Sequence, residues 1–283
     1  MDGCPLIGFV GLTLVDGFKG LIRSLARSFG YDFVRYPMLE EYLLVEQLQT
    51  IFRSLDINCV LDVGAHHGEF VRLVKRIGYS GYIRSFEPVA SSFAVLSKAF
   101  GGDIKWRGYP FALGDQETRL TIHETEYGIF SSFLKPNDYC EQAFGERGRV
   151  IRSTEVSVRR LENVFDECIA GIENPRVFLK LDTQGFDLRV LKGAGGRLSS
   201  ILALQTQMSV QPIYQGIMSY LEAIPLFNAE GFRVAGLIPV SWGPSLEMVE
   251  FDCLMVRCPP VALENAQQAR KAGQMVETGR VRN

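Results

Sequence analysis

The run CVLDVGAHHGEF, Cys59 to Phe70, decides the fold. Its first half, CVLDV, reads as an apolar, β-branched strand that ends beside an acid. Its second half sets glycines at 64 and 68 around Ala65, His66 and His67, and the apolar spacing of a helix follows. Strand, glycine turn and helix in that order bring backbone close to a ligand and point free N–H groups at it. This is the form of a nucleoside-cofactor loop. A dinucleotide fingerprint needs glycine at the first, third and sixth positions, and here those are Gly64, His66 and Glu69. The nicotinamide reading therefore loses.

Downstream, EFVRLVKRIG reads as a helix closing at Gly78, GYIRSFE as a strand and VASSFAVLSKAF as a helix. That alternation predicts a parallel sheet covered on both faces, with ligands at the carboxyl ends of its strands. Glu87 ends the second strand, where a carboxylate can accept hydrogen bonds from both ribose hydroxyls; a charge at a helix N-terminus is the competing account. Pro88 then opens the next helix, where its missing N–H costs nothing. IKWRGYPFALG and RLTIHE are strand-like. A polar stretch from Tyr127 to Arg149 interrupts the pattern, either as the cap of a crevice or as plain loop. RVFLKLD, SILALQT, RVAGLIPV and MVEFDCLMVR read as further strands, with helices over FDLRVLKGAGGRL and MSYLEAIPLFNAEGF.

Upstream, residues 1–57 read as a helical extension, with apolar positions three and four apart from Met38 to Leu55. The apolar PLIGFVGLTLV is too short to span a bilayer and is expected to be a buried helix or a docking surface. The organisation expected is an extension over 1–57, a catalytic domain over 58–258 and a polar tail over 259–283. Of 283 residues, 30 are basic and 32 acidic, so the bulk charge points to neither nucleic acid nor a membrane surface as partner. The six cysteines form no C-x-x-C pair, which suits a reducing, cytoplasmic setting. A homodimer is compatible with the sequence.

The five-residue G-x-x-x-G loop matches the first motif of class I S-adenosylmethionine methyltransferases, where Asp62 suits the cofactor's ammonium. With FLKLDTQGFDLRVLKGA, Phe178 to Ala194, the chain resembles the FkbM family of these enzymes. VLDVGAHHGEF, SFEP, ALGD and EFDCLMVR fall in the family's order, and the resemblance covers Asn58 to Arg257. It implies the class I methyltransferase fold, Rossmann-like α/β, with a seven-stranded, mostly parallel sheet and an antiparallel last strand. It implies S-adenosylmethionine as cofactor and O-methylation of hydroxyls on macrolides or on sugars of glycans and glycolipids, of which the sugar is preferred. Gln184 departs from the family's commoner D-x-E-G, and Gln207 stands where a carboxylate is expected in close relatives.

Methyl transfer from a sulfonium asks the protein to align donor and acceptor and to take the hydroxyl's proton. Asp182, at a strand end, is the first candidate for that proton; hydrogen bonding to its own turn is the alternative. Lys180 shares its side of the strand and either polarises an acceptor oxygen or pairs with Asp182 or Glu250. One of His66 and His67 faces cofactor or acceptor, their rings being expected to diverge, and His67 is the catalytic candidate. Asp62, Gly64, Ala65, His66, Gly68, Glu87 and Pro88 are expected to hold the cofactor, with Phe111, Ala112 and Asp115 near its adenine. Ser131, Ser132, Gln205, Gln207 and Tyr214 are candidates for a small-molecule or glycan acceptor. No histidine spacing supports zinc, and magnesium at Asp182 is not favoured. A scaffold that keeps the fold without catalysis is the rival reading, with Gln184 and Gln207 as its motive. N-methylation of a small amine or a protein side chain is the third.

Overall fold

The computed structural model describes Leu25, Ser28, Phe29 and residues 39–126, 128 and 130–258. The apolar PLIGFVGLTLV and the tail from Val261 lie outside the described residues. The chain divides into two compact units, Met1–Glu46 and Gln47–Asn283.

In the larger unit seven strands form one sheet in the order β3-β2-β1-β7-β8-β10-β9: β1 Cys59–Val63, β2 Tyr82–Phe86, β3 Trp106–Tyr109, β7 Val177–Leu181, β8 Ile201–Ser209, β9 Phe232–Trp242 and β10 Met248–Arg257. Strands β3, β2, β1, β7 and β8 are parallel, and β10 runs antiparallel to both β8 and β9. This is the expected class I methyltransferase sheet. β1 and β7 are buried along their whole length, which explains why CVLDV and VFLKL read as continuous apolar runs rather than alternating ones. Burying a side chain such as Leu61, Phe178 or Leu179 contributes roughly 1.5–3 kcal/mol.

Helices cover the sheet. α1, Leu39–Ser54, enters the core of the larger unit with Leu48, Ile51 and Phe52, whose ring lies 5.0 Å from Phe178. α2, Glu69–Arg76, buries Phe70, Val71, Leu73 and Val74, and α3, Ala90–Phe100, buries Ser92 and Leu96. α4, Asp138–Phe144, is capped by Asn137, whose side chain accepts from the Cys140 N–H at 3.0 Å. α5, Leu161–Ile169, and α6, Asp187–Gly193, pack on the core, and α7, Tyr220–Ala229, begins with a capping box between Ser219 and Glu222.

One element of the architecture departs from the sequence reading. A second, three-stranded sheet in the order β4-β6-β5 joins Ala112–Gly114, Val150–Arg160 and Thr118–Thr125. IKWRGYPFALG is therefore two strands in two sheets, because the chain leaves the large sheet after Tyr109 and re-enters order at Ala112. The stretch Tyr127 to Arg149 is not plain loop: its described residues include α4 and a 3-10 turn, Gly145–Gly148. Among the described residues no helix is long and apolar enough to cross a membrane. Cys59, Cys140, Cys168 and Cys253 are free and buried, and burial pushes the Cys59 thiol up to about 12.

Candidate active site

The strand order reverses between β1 and β7, and the carboxyl ends beside such a reversal are where a parallel sheet takes its ligands. The Asp182 N–H donates to the Val63 carbonyl at 3.1 Å, tying the two strand ends together. Gly64 sits at that junction with φ +76°, and a Cβ there would run into the carbonyl oxygen of Asp182. At Gly68, φ +89°, a Cβ would meet Phe100 and Leu96. Both glycines are thus demanded by the protein's own packing as well as by a left-handed turn.

On the β2 side Glu87 is only 6% exposed and holds the loop in place. Its Oε2 accepts from the His66 N–H and its Oε1 from the Val89 N–H, each at 2.8 Å, so it orders the glycine loop and the start of α3 together. Each oxygen keeps a further lone pair. Burial raises the Glu87 pKa against the opposing effect of those two N–H donors. Gly64 and Ala65 donate to the Phe86 carbonyl at 3.0 and 3.1 Å, which closes the turn.

Asp62 does not face an open crevice. It is wholly buried, and in register it lies beside Lys180 of β7 and Ser85 of β2. The Lys180 Nζ is 3.5 Å from Asp62 Oδ1 and 3.1 Å from Asp182 Oδ2, and it donates to the Gly64 carbonyl at 3.3 Å. The ammonium beside Asp62 is thus the protein's own. Burial opposes the charge on Lys180, but Asp182 and Asp62 outweigh it and raise the pKa. Pairing, rather than polarising an acceptor, is what Lys180 does here.

Asp182 is the exposed member of this group, with 40% of its side chain accessible. The turn after it carries two successive left-handed residues, Gln184 with φ +53° and Gly185 with φ +92°. Gln184 Nε2 donates to Asp182 Oδ1 at 2.9 Å and to Gln207 Oε1 at 2.8 Å, and Gln184 Oε1 accepts from Tyr214 at 2.7 Å. Tyr214 is fully buried in a small apolar cluster with Cys140, Ile213 and Val249, flanked by Phe130, Leu134 and Ile217. Part of the 127–149 stretch and the segment after β8 thereby form a lobe over the ends of β7 and β8.

Three further acids lie near this turn. Burial, with the Asp182 charge next, pushes Asp187 up to about 6 and Glu250 and Asp252 each up to about 7. Ser241 donates to Glu250 at 3.3 Å.

Other candidates fall elsewhere. His66 and His67 do not diverge: their rings stack at 3.8 Å, because His66 is left-handed with φ +46°. His66 Nδ1 is 3.4 Å from Glu69 Oε1, and His66, His67 and Glu69 bring one donor atom each within 4.8 Å of one another. These are ligand types a transition metal takes, but near-parallel ring planes aim their lone pairs side by side rather than at a shared point. Burial and then His66 lower the His67 pKa. Phe111 packs on Phe86 and Tyr109 under Arg159, and Ala112 is buried in β4. Asp115 Oδ1 lies 3.8 Å from Arg189. Ser131 accepts from the Thr125 N–H, and buried Ser132 donates to the Gln184 carbonyl at 2.7 Å, so both hydroxyls serve the lobe's own structure. Gln205 is 4% exposed with its Oε1 unpaired, and Gln207 is half-buried beside the crevice. The sequence reading missed Gln184 as the centre of the network and Asp187 as its buried neighbour; Gly185 directly after Gln184 was the available sign of a left-handed turn.

A family model described as the methyltransferase FkbM domain matches residues 62–234. The chain belongs to the FkbM methyltransferase family. The matched span contains the glycine loop, Glu87, the Asp182 turn and the lobe, so the FkbM domain includes both sides of the crevice. No curated protein matches the sequence. Among solved structures, this FkbM methyltransferase is similar to fibrillarin from Aeropyrum pernix with natively bound S-adenosyl-L-methionine, at 9% identity over 70% of this chain and 66% of that one, TM-score 0.40. It is also similar to magnesium protoporphyrin IX methyltransferase from Synechocystis PCC 6803, at 10% identity over 85% of this chain and 97% of that one, TM-score 0.37. A third is 1,6-didemethyltoxoflavin-N1-methyltransferase from Burkholderia thailandensis, at 11% identity over 91% of this chain and 94% of that one, TM-score 0.38. The fold rests on the strand order, and the family on the match over residues 62–234.

Proposed function

We propose that this FkbM methyltransferase uses S-adenosylmethionine to methylate a hydroxyl, most suitably on a sugar of a glycan or glycolipid. The observation that carries this reading is the placement of Glu87 at the end of β2 and of the 40%-accessible Asp182 side chain at the end of β7, on either side of the glycine loop after β1. Bound there, the cofactor supplies a methyl group already activated on a sulfonium. Glu87, with a free lone pair on each oxygen, fits two ribose hydroxyls while its other lone pairs order the glycine loop. Asp62 orients Lys180 rather than the cofactor, so the amino-acid end of the cofactor falls to the backbone of Gly64 to Gly68.

Asp182 orients the acceptor hydroxyl and takes its proton, with Lys180 holding the carboxylate from the side away from Gln184. Half-buried Gln207 offers the acceptor a neutral amide, which suits a polyol. Calorimetric titration with S-adenosylmethionine and its demethylated product tests the cofactor, and a screen of nucleotide sugars and glycolipids follows. Micromolar binding and methyl transfer to a saccharide are expected. A folded sample that binds neither compound overturns the reading and favours a scaffold.

A further inference from the structure

Gln184 stands where the family resemblance leads one to expect an acid, and its amide touches Asp182, Gln207 and Tyr214 at once. An amide offers two N–H donors and one carbonyl acceptor. Here Nε2 serves two acceptors, and the carbonyl meets a hydroxyl. The flipped amide would place its carbonyl against the Asp182 carboxylate oxygen, an acceptor–acceptor contact. The backbone beneath is fixed as well. Ser132 donates to the Gln184 carbonyl, and a Cβ at Gly185 would meet Ile217 and Leu134.

We propose that Gln184 is a positioning residue: its amide, held between Tyr214, Asp182 and Gln207, keeps the Asp182 carboxylate facing the crevice and turns the Gln207 N–H donors outward toward the acceptor. The inference deepens the reading of the crevice as a methyl-transfer site and rests on it. A glutamate at 184 would bring a second carboxylate, with no donor, to Asp182. In this chain a neutral donor meets Asp182 instead, where Asp187 of α6, Glu250 and Asp252 of β10 and Asp62 of β1 already gather and Lys180 of β7 is the nearby cation. The Tyr214 phenol completes the set. Replacing the carboxylate at 182 changes the acceptor of the Nε2–H to Oδ1 bond, so the amide signal reports the group that stands there.

The test reads the side-chain NH2 signals of Gln184 in 15N–1H spectra of the full chain, with no acceptor needed. Gln184→Met assigns the pair by its disappearance. If that variant does not fold, Tyr214→Phe assigns the pair by its displacement. The pair is expected to be displaced in Asp182→Asn. A pair unmoved in Asp182→Asn overturns the proposal, because mere packing would leave the amide blind to Asp182. Calorimetry with S-adenosylmethionine on the wild-type sample separates the two claims. Absent cofactor binding removes the methyl-transfer reading and with it this role; binding with an amide signal unmoved in Asp182→Asn removes only the role of Gln184.

Discussion

The two walls of the crevice are built differently. The donor wall, from Asp62 to Val89, is almost one continuous stretch of chain, and Glu87 ties its loop to the next helix by hydrogen bonds spanning 21 and 2 residues. The acceptor wall is assembled from distant pieces: Tyr214 reaches the Phe130 carbonyl across 84 residues, and Ser132 reaches Gln184 across 52. Local construction fixes a glycine loop that a short motif can specify. Long-range construction hides the opposite wall from any such motif.

The hardest blow to this division is Gly64→Ala, at the seam. A left-handed alanine costs about 1–2 kcal/mol and the clash with the Asp182 carbonyl about 1–3 more. Urea unfolding is expected to show that combined loss, and a neutral result would mean that the seam is loose. Next, Glu87→Ala removes the acceptor for two backbone N–H groups and is expected to weaken S-adenosylmethionine binding roughly 10- to 100-fold, as lost charge-assisted hydrogen bonds imply. Asp182→Asn, by contrast, should leave cofactor affinity within about threefold and abolish turnover. Equal cofactor affinity in wild type and the Glu87 variant would erase the distinction between the walls.

Tyr214→Phe probes the acceptor wall alone. It leaves the Gln184 carbonyl without its hydroxyl donor, and a loss of about 1–2 kcal/mol in stability with unchanged cofactor affinity is expected. The smallest effect concerns pH. Glu250 and Asp252 are held protonated to about 7 in the folded protein, against ordinary values of 4.5 and 3.8. Because the folded state binds more protons, these groups favour folding fully below their ordinary values, and that contribution is lost as the pH rises toward 7. Asp252→Asn should flatten the decline in melting temperature over that window, and an unchanged slope would show that the acid cluster is solvated.

The same contrast decides what was legible in the sequence. CVLDV and the glycine turn carry their meaning in local order, so the parallel sheet and the position of Glu87 at the end of β2 followed from pattern alone. The three-stranded sheet did not, because the alternation of buried Val156 and Val158 in β6 gains its meaning only from pairing with β5 and β4. The stacking of His66 on His67 turns on one positive φ that an extended-turn picture does not include. Asp62 was read as open to a ligand because strand ends face the crevice, and only the register with Lys180 shows it closed. Gln184 was visible as a departure from a motif, but its partners lie 23 and 30 residues away.

Lys180 touches both walls through one ammonium, which meets Asp62, the Gly64 carbonyl and Asp182. On the function proposed here, an acceptor that changes the field at Asp182 would also change what that cation offers the glycine loop. Thermodynamic reciprocity would then require each ligand to alter the other's affinity by the same factor. Two binding equilibria would thus share a single charge, and a substitution at 180 is expected to alter both.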